Sequence, residues 1–142
     1  MIRTVSAVAL GLAFCLVPHA LSQARAAENP MVVVHGPTVV ACFVPVSDAE
    51  MEKYPNLNES LADFQLYTAQ ARKPLRERGI AFSVLSAHRF RMQVRGNVVN
   101  YLVGGVAYYF IAPGKRVHVH TGVMTDTELV EAADQYFGSG TH

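Results

Sequence analysis

Three groups of side chains in this 142-residue chain have types and spacings that could do chemistry. His118 and His120 stand two apart in Arg116-Val117-His118-Val119-His120, a segment that alternates like a strand. Period-two alternation sends both imidazoles to one face, where two such groups can bind a transition metal such as zinc or copper. A closed site needs a third and usually a fourth ligand. His35, His88, Asp48 or Glu50 could join only through folding. The plainer reading is a polar face on an edge strand, with Val117 and Val119 turned to the core. Asp48, Glu50 and Glu52 gather where a helix begins, as an acid–base set or, more simply, as caps for free amides at a positive helix end. Ser47 beside them lacks the Gly-x-Ser-x-Gly setting of an activated serine, and no histidine is near it in sequence. Cys42 is the third candidate. A peroxidatic or sensor thiol is exposed and often lies at a helix N-terminus. Cys42 lies inside an apolar run, where cysteine packs as a small hydrophobe.

Weaker candidates complete the set. Arg89, Arg91 and Arg95 alternate along one segment and suit either an anion or solvent. Tyr101, Tyr108, Tyr109 and Phe110 are expected in the core, with an exposed tyrosine pair beside Gly104-Gly105 as the docking alternative. No glycine-rich phosphate loop is present.

Residues 1–26 have the pattern of a secretory signal: Arg3, an uncharged apolar run over residues 5–17, Pro18, and Ala24-Arg25-Ala26 as a cleavage site. The run is about 13 residues, short of the roughly 20 that a membrane span needs. The expectation is a bacterial periplasmic or secreted protein, with residues 27–142 as one domain and no membrane insertion after cleavage. Cys15 leaves with the signal, so Cys42 remains alone and an internal disulfide is excluded. Without Arg3 and Arg25 the balance is ten basic residues against eleven acidic ones, a net of −1. Such a surface has no footprint for nucleic acid and no polybasic cluster for a membrane.

The elements that position these groups follow from periodicity. Residues 31–35 and 39–44 read as strands, the second apolar enough to be buried on both faces. Pro45 ends it. Ser47 or Asp48 starts a helix that Pro55 limits to a turn or two. A longer helix then starts at Asn56 or Asn58. Leu57, Leu61, Phe64, Thr68, Ala71 and Leu75 give it one buried face, Pro74 kinks it and Gly79 caps it. Residues 80–85 are a strand, and residues 90–94 and 98–103 form a hairpin about Arg95-Gly96-Asn97. Gly104-Gly105 breaks the chain before strands at 106–111 and 116–121. Thr125 caps a last helix that ends at Gly138.

Two segments carry a resemblance. Residues 106–111, the turn Ala112-Pro113-Gly114-Lys115, residues 117–120, Gly122 and the helix from Thr125 resemble the closing β-β-α unit of the thioredoxin-like fold. Residues 39–45 and the helix start after them resemble that family's central strand and active-site turn. The resemblance implies a single α/β domain with a central mixed sheet flanked by helices, the hairpin replacing the third helix. The family's redox members place two cysteines at the positions held here by Asp48 and Met51, and a cis-proline near Gly104-Gly105-Val106. Dithiol exchange needs an attacking thiolate and a resolving sulfur, so it is excluded. The expected function is a non-catalytic binding or assembly module of the cell envelope. It would dock an envelope protein or small ligand around Asp48, Glu50, Gly104 and Gly105, because binding loops gather at strand ends. The alternative is a periplasmic metal-binding protein using His118 and His120. An enzyme with an unfamiliar site is the third class.

Overall fold

A computed structural model describes residues 29–138. The expected leader lies outside the described residues. The described elements, in chain order, are β1 (Met31–Val34), β2 (Thr38–Phe43), α1 (Asp48–Lys53), α2 (Pro55–Glu77), β3 (Ala81–Ser86), β4 (Arg89–Val94), β5 (Asn97–Leu102), β6 (Val106–Ile111), β7 (His118–Thr121) and α3 (Asp126–Phe137). The protein is α/β, with two mixed sheets.

The larger sheet has the order β3-β2-β6-β7. β2 and β3 are parallel, so the chain must cross over between them; α1 and α2 form that crossover. β6 is antiparallel to both β2 and β7. Every residue of β2 is buried, because apolar layers cover both faces of the sheet. Val39, Ala41 and Phe43 pack with Phe64, Ala71 and Leu75 of α2 and with Leu129 and Ala133 of α3. Val40 and Cys42 turn the other way, toward Phe90 and Met92.

That second layer corrects the expectation of one sheet flanked by helices. Both long helices sit on one face. The other face is covered by a three-stranded sheet, β1-β4-β5, in which β1 runs parallel to β4 and β4 antiparallel to β5. The smaller sheet can do a helix's work because Val32 and Val34 of β1 and Phe90 and Met92 of β4 all point inward from it. Three aromatic rings lock the layers. Phe90 stacks on Tyr101 at 5.3 Å and meets Tyr109 edge-on at 5.0 Å. The Tyr109 hydroxyl donates to the Leu102 carbonyl at 3.2 Å. Arg95 and Gly96 hold φ of 50° and 82°, the paired positive values that a two-residue hairpin turn requires.

The helix boundaries follow local chemistry. Pro55 is the first residue of α2 rather than a break ahead of a start at Asn56 or Asn58. A proline at that position loses no hydrogen bond, since the first amides of a helix have no partner inside it. Helix α2 also continues through Pro74 to Glu77. Thr68 is buried within it and donates its hydroxyl to the Phe64 carbonyl at 2.6 Å, which satisfies the one polar group on the packed face.

Candidate functional site

The sheet connectivity brings several loops to one end of the larger sheet. β2 and β3 finish there, β6 begins, β7 finishes, and both α1 and α3 start. Backbone bonds tie the loops together. The Val44 amide donates to the Gly105 carbonyl at 3.0 Å, Gly122 to Val106 at 3.0 Å, and Ala87 to Phe43 at 3.3 Å. Gly105 has φ of 80°, and a β-carbon built on it would meet nothing within 4 Å. Its glycine is therefore needed for backbone conformation rather than for space.

Between these loops lies a cleft of about 870 Å³. Its walls are chiefly apolar, from the linker Phe43-Val44-Pro45-Val46, Leu57 of α2, Val106 and Val123. Ser47, Ser60, His88 and Glu50 supply its polar groups. The same linker lines a second cleft of about 780 Å³, which Asp48, Phe64, Val84 and Leu85 share.

Ser47 is the N-cap of α1, with extended backbone. Its hydroxyl accepts from the Glu50 amide at 3.3 Å and donates to Glu50 Oε2 at 2.8 Å, while its own amide donates to the same oxygen at 2.9 Å. This is a reciprocal capping box. The Ser47 amide, the Ser47 hydroxyl and, more weakly, the charge of His88 hold the Glu50 carboxyl below its ordinary range. Ser47 thus donates to the Glu50 carboxylate rather than to an imidazole, as part of the helix cap. α3 repeats the device with Thr125 and Glu128. Glu128 is likewise held low, by the Thr125 amide first and in small part by His120.

The structure gathers some sequence candidates and separates others. Glu50 and Gly105 line the first cleft and Asp48 the second, while Gly104 is the exposed residue just before Gly105. His88 is a cleft residue that sequence spacing did not connect with Glu50. The Ala87-His88 step between β3 and β4 carries it there, 38 positions along the chain. His118 and His120 do not join this group. They share a face on an edge strand and both are exposed, as expected, although that face is the one on which Phe110 and Tyr136 lie. His118 stacks on Tyr136 at 6.2 Å and lies 5.8 Å from Phe110. His120 lies 6.3 Å from Tyr108. Val117 is partly buried against the inter-sheet core, as expected, whereas Val119 is 43% exposed. Among the described residues, no three or more His, Cys, Asp or Glu are grouped where they could hold a metal ion.

Cys42 is fully buried between the two sheets, and burial pushes its thiol up to about 12. It does not line the cleft. Tyr108 and Tyr109 are buried on opposite faces of β6 rather than forming an exposed pair. The Tyr108 hydroxyl accepts from the Met124 amide at 3.3 Å, just behind Val123 of the cleft wall. Arg89 and Arg91 lie on β4, and Arg95 lies in the turn. No described helix is long and apolar enough to cross a membrane.

No protein-family model, no curated protein and no solved structure matches the chain.

Proposed function

We propose that this chain is an exported, thioredoxin-like binding module of the bacterial cell envelope that holds a partner or small ligand in the cleft at the start of α1. The observation that carries the reading is the cleft itself, about 870 Å³, with apolar walls and a few polar groups at the ends of β2 and β3. Pockets of this size and make-up at strand ends are the usual ligand sites of α/β proteins. The thioredoxin-like part draws support from the strand order β3-β2-β6-β7, with a parallel β-α-β crossover followed by an antiparallel β-β-α unit. Binding rather than electron transfer fits the residues at the site. Asp48 and Met51 occupy the first turn of α1, and the one described thiol faces away. Export rests on the pattern of residues 1–26.

The test fills the cleft. Val123 is half-buried in its wall, in a loop outside the ladders, so Val123→Trp should occupy the space while the sheet stays intact. Leu66→Trp, at an exposed position on α2, is the control. A partner captured from envelope extract by the wild-type protein should be lost with Val123→Trp and kept with Leu66→Trp. Equal capture by all three proteins would refute the reading, as would turnover of insulin disulfides by the wild-type protein.

A further inference from the structure

The smaller sheet leaves β5 with an open edge, since among the described residues β5 pairs only with β4. We propose that β5 joins β5 of a second copy of this chain, antiparallel across a twofold axis at Asn100, to make one continuous six-stranded sheet.

The ladder decides which residues face that edge. Val94 and Asn97 flank the two-residue turn, and the Val103 amide donates to the His88 carbonyl at 2.8 Å. Alternation in an antiparallel pair then turns the amides and carbonyls of Val98, Asn100 and Leu102 outward. The Leu102 carbonyl accepts from Tyr109 and retains a second lone pair. Antiparallel self-pairing must place outward-facing residues opposite one another. A twofold axis at Asn100 sets Asn100 against Asn100, Val98 against Leu102, and Val99 against Tyr101. Over residues 98–102 each apolar side chain meets an apolar one, and the one polar pair is an amide against an amide, which can hydrogen-bond.

Charge and exposure favour a second copy as the occupant. β5 carries no charged residue, so self-pairing sets no like charges opposite each other. Arg95 at the turn reaches toward Gly114 instead of the edge. The two Arg91 side chains would sit three strand spacings apart, about 14 Å, beyond the screening length of about 8 Å at physiological salt. Of the nine large hydrophobic residues exposed among the described residues, five lie on this sheet: Met31, Val33, Val98, Val99 and Leu102, the last 84% exposed. Natural edges are usually protected by charge, proline or a bulge, and β5 has none of these. The edge of β7 carries two histidines. β3 is overlain by α2, with Arg72 above the Phe82 ring.

The contact strip is about 20 Å long and about 10 Å thick, well below the roughly 800 Å² per partner of a standard interface. The dimer is therefore concentration-dependent. Opposed residues of a hydrogen-bonded pair stand about 5.5 Å apart at Cα, within disulfide range. In a Cys15→Ser background, Asn100→Cys should cross-link under mild oxidation. Asn97→Cys should not, because its counterpart lies about 20 Å away. In sedimentation velocity from about 1 µM to about 1 mM, the wild-type protein should shift from monomer to dimer. Val98→Lys with Leu102→Lys should abolish the shift, and Val98→Glu with Leu102→Lys should restore it in a salt-sensitive form. Both side chains are exposed, so the fold should tolerate the changes, and circular dichroism checks that it does. A wild-type monomer across the whole range would overturn the proposal, as would equal cross-linking at residues 97 and 100. A dimer that survives the double lysine change would do the same.

Discussion

Replacing Phe90 with alanine tests whether the smaller sheet is a structural layer or a loosely attached flap. Phe90 is fully buried and contacts two aromatic rings, at 5.3 and 5.0 Å. Truncating a buried phenylalanine costs about 3–5 kcal/mol. Loss of the two ring contacts, each worth roughly 0.5–1.5 kcal/mol beyond burial, argues against the bottom of that range, so about 4 kcal/mol is expected. With a urea slope of about 2 kcal/mol/M, the midpoint should fall by about 2 M. A domain of this kind has only about 5–15 kcal/mol in total, so the variant should be marginal. Phe90→Leu, which keeps most of the volume but loses both ring contacts, should cost about 1–3 kcal/mol, less than the alanine change. Val33→Ala, on the outer face at 49% exposure, should stay within about 0.5 kcal/mol. The assay is urea unfolding followed by tyrosine fluorescence and far-ultraviolet circular dichroism. The chain has six tyrosines and no tryptophan, so the fluorescence reports on the Tyr101–Tyr109 cluster among others. Both signals should move together, because β2 and β6 hold both layers. A midpoint equal to that of wild type, or tyrosine loss well before helix loss, would refute the reasoning.

Ser47→Ala should destabilise by about 0.5–2 kcal/mol and raise the Glu50 carboxyl toward its ordinary value, read by NMR titration; an unmoved titration would count against the capping box. The folded state holds Glu50 and Glu128 below their unfolded values. Their stabilisation is therefore present above about pH 4.3 and is lost as pH falls through the lowered folded values, which acid-unfolding curves of Glu50→Gln with Glu128→Gln should show by flattening. Cys42, with its thiol near 12, should stay unlabelled by a thiol reagent at pH 8 until the protein unfolds; stoichiometric labelling of the native protein would contradict its burial. Tyr108→Phe leaves the Met124 amide buried without its partner. It should cost about 1–3 kcal/mol and speed hydrogen exchange at Met124 more than in α3.

Local chemistry was readable from the chain, and long-range pairing was not. The strand at residues 106–111 matches β6 because its ends are marked by Gly104-Gly105 and by Pro113-Gly114. The start of α3 was legible from Thr125 and its acidic first turn. The run around Cys42 was apolar enough to announce a strand covered on both faces. The partner of β1 was hidden, because Met-Val-Val-Val is apolar throughout and marks neither a face nor a receiving sheet. The meeting of His88 with Glu50 was hidden as well, since it depends on where β3 ends relative to β2. For β7 the period was legible and the exposure of Val119 was not. Val119 is the more apolar side chain, yet Phe110 and Tyr136 offer flat surfaces that suit an imidazole.

The position of β2 also governs when the chain can close up. Its antiparallel neighbour ends at Ile111, with Thr38 opposite it. The ends of β2 and β6 lie at Phe43 and Ile111, so that strand finds both companions only after a long stretch of chain has been placed. Chains cut short of residue 111 should remain open and sticky, their most apolar segment unclaimed, which makes β6 the latch of the whole molecule.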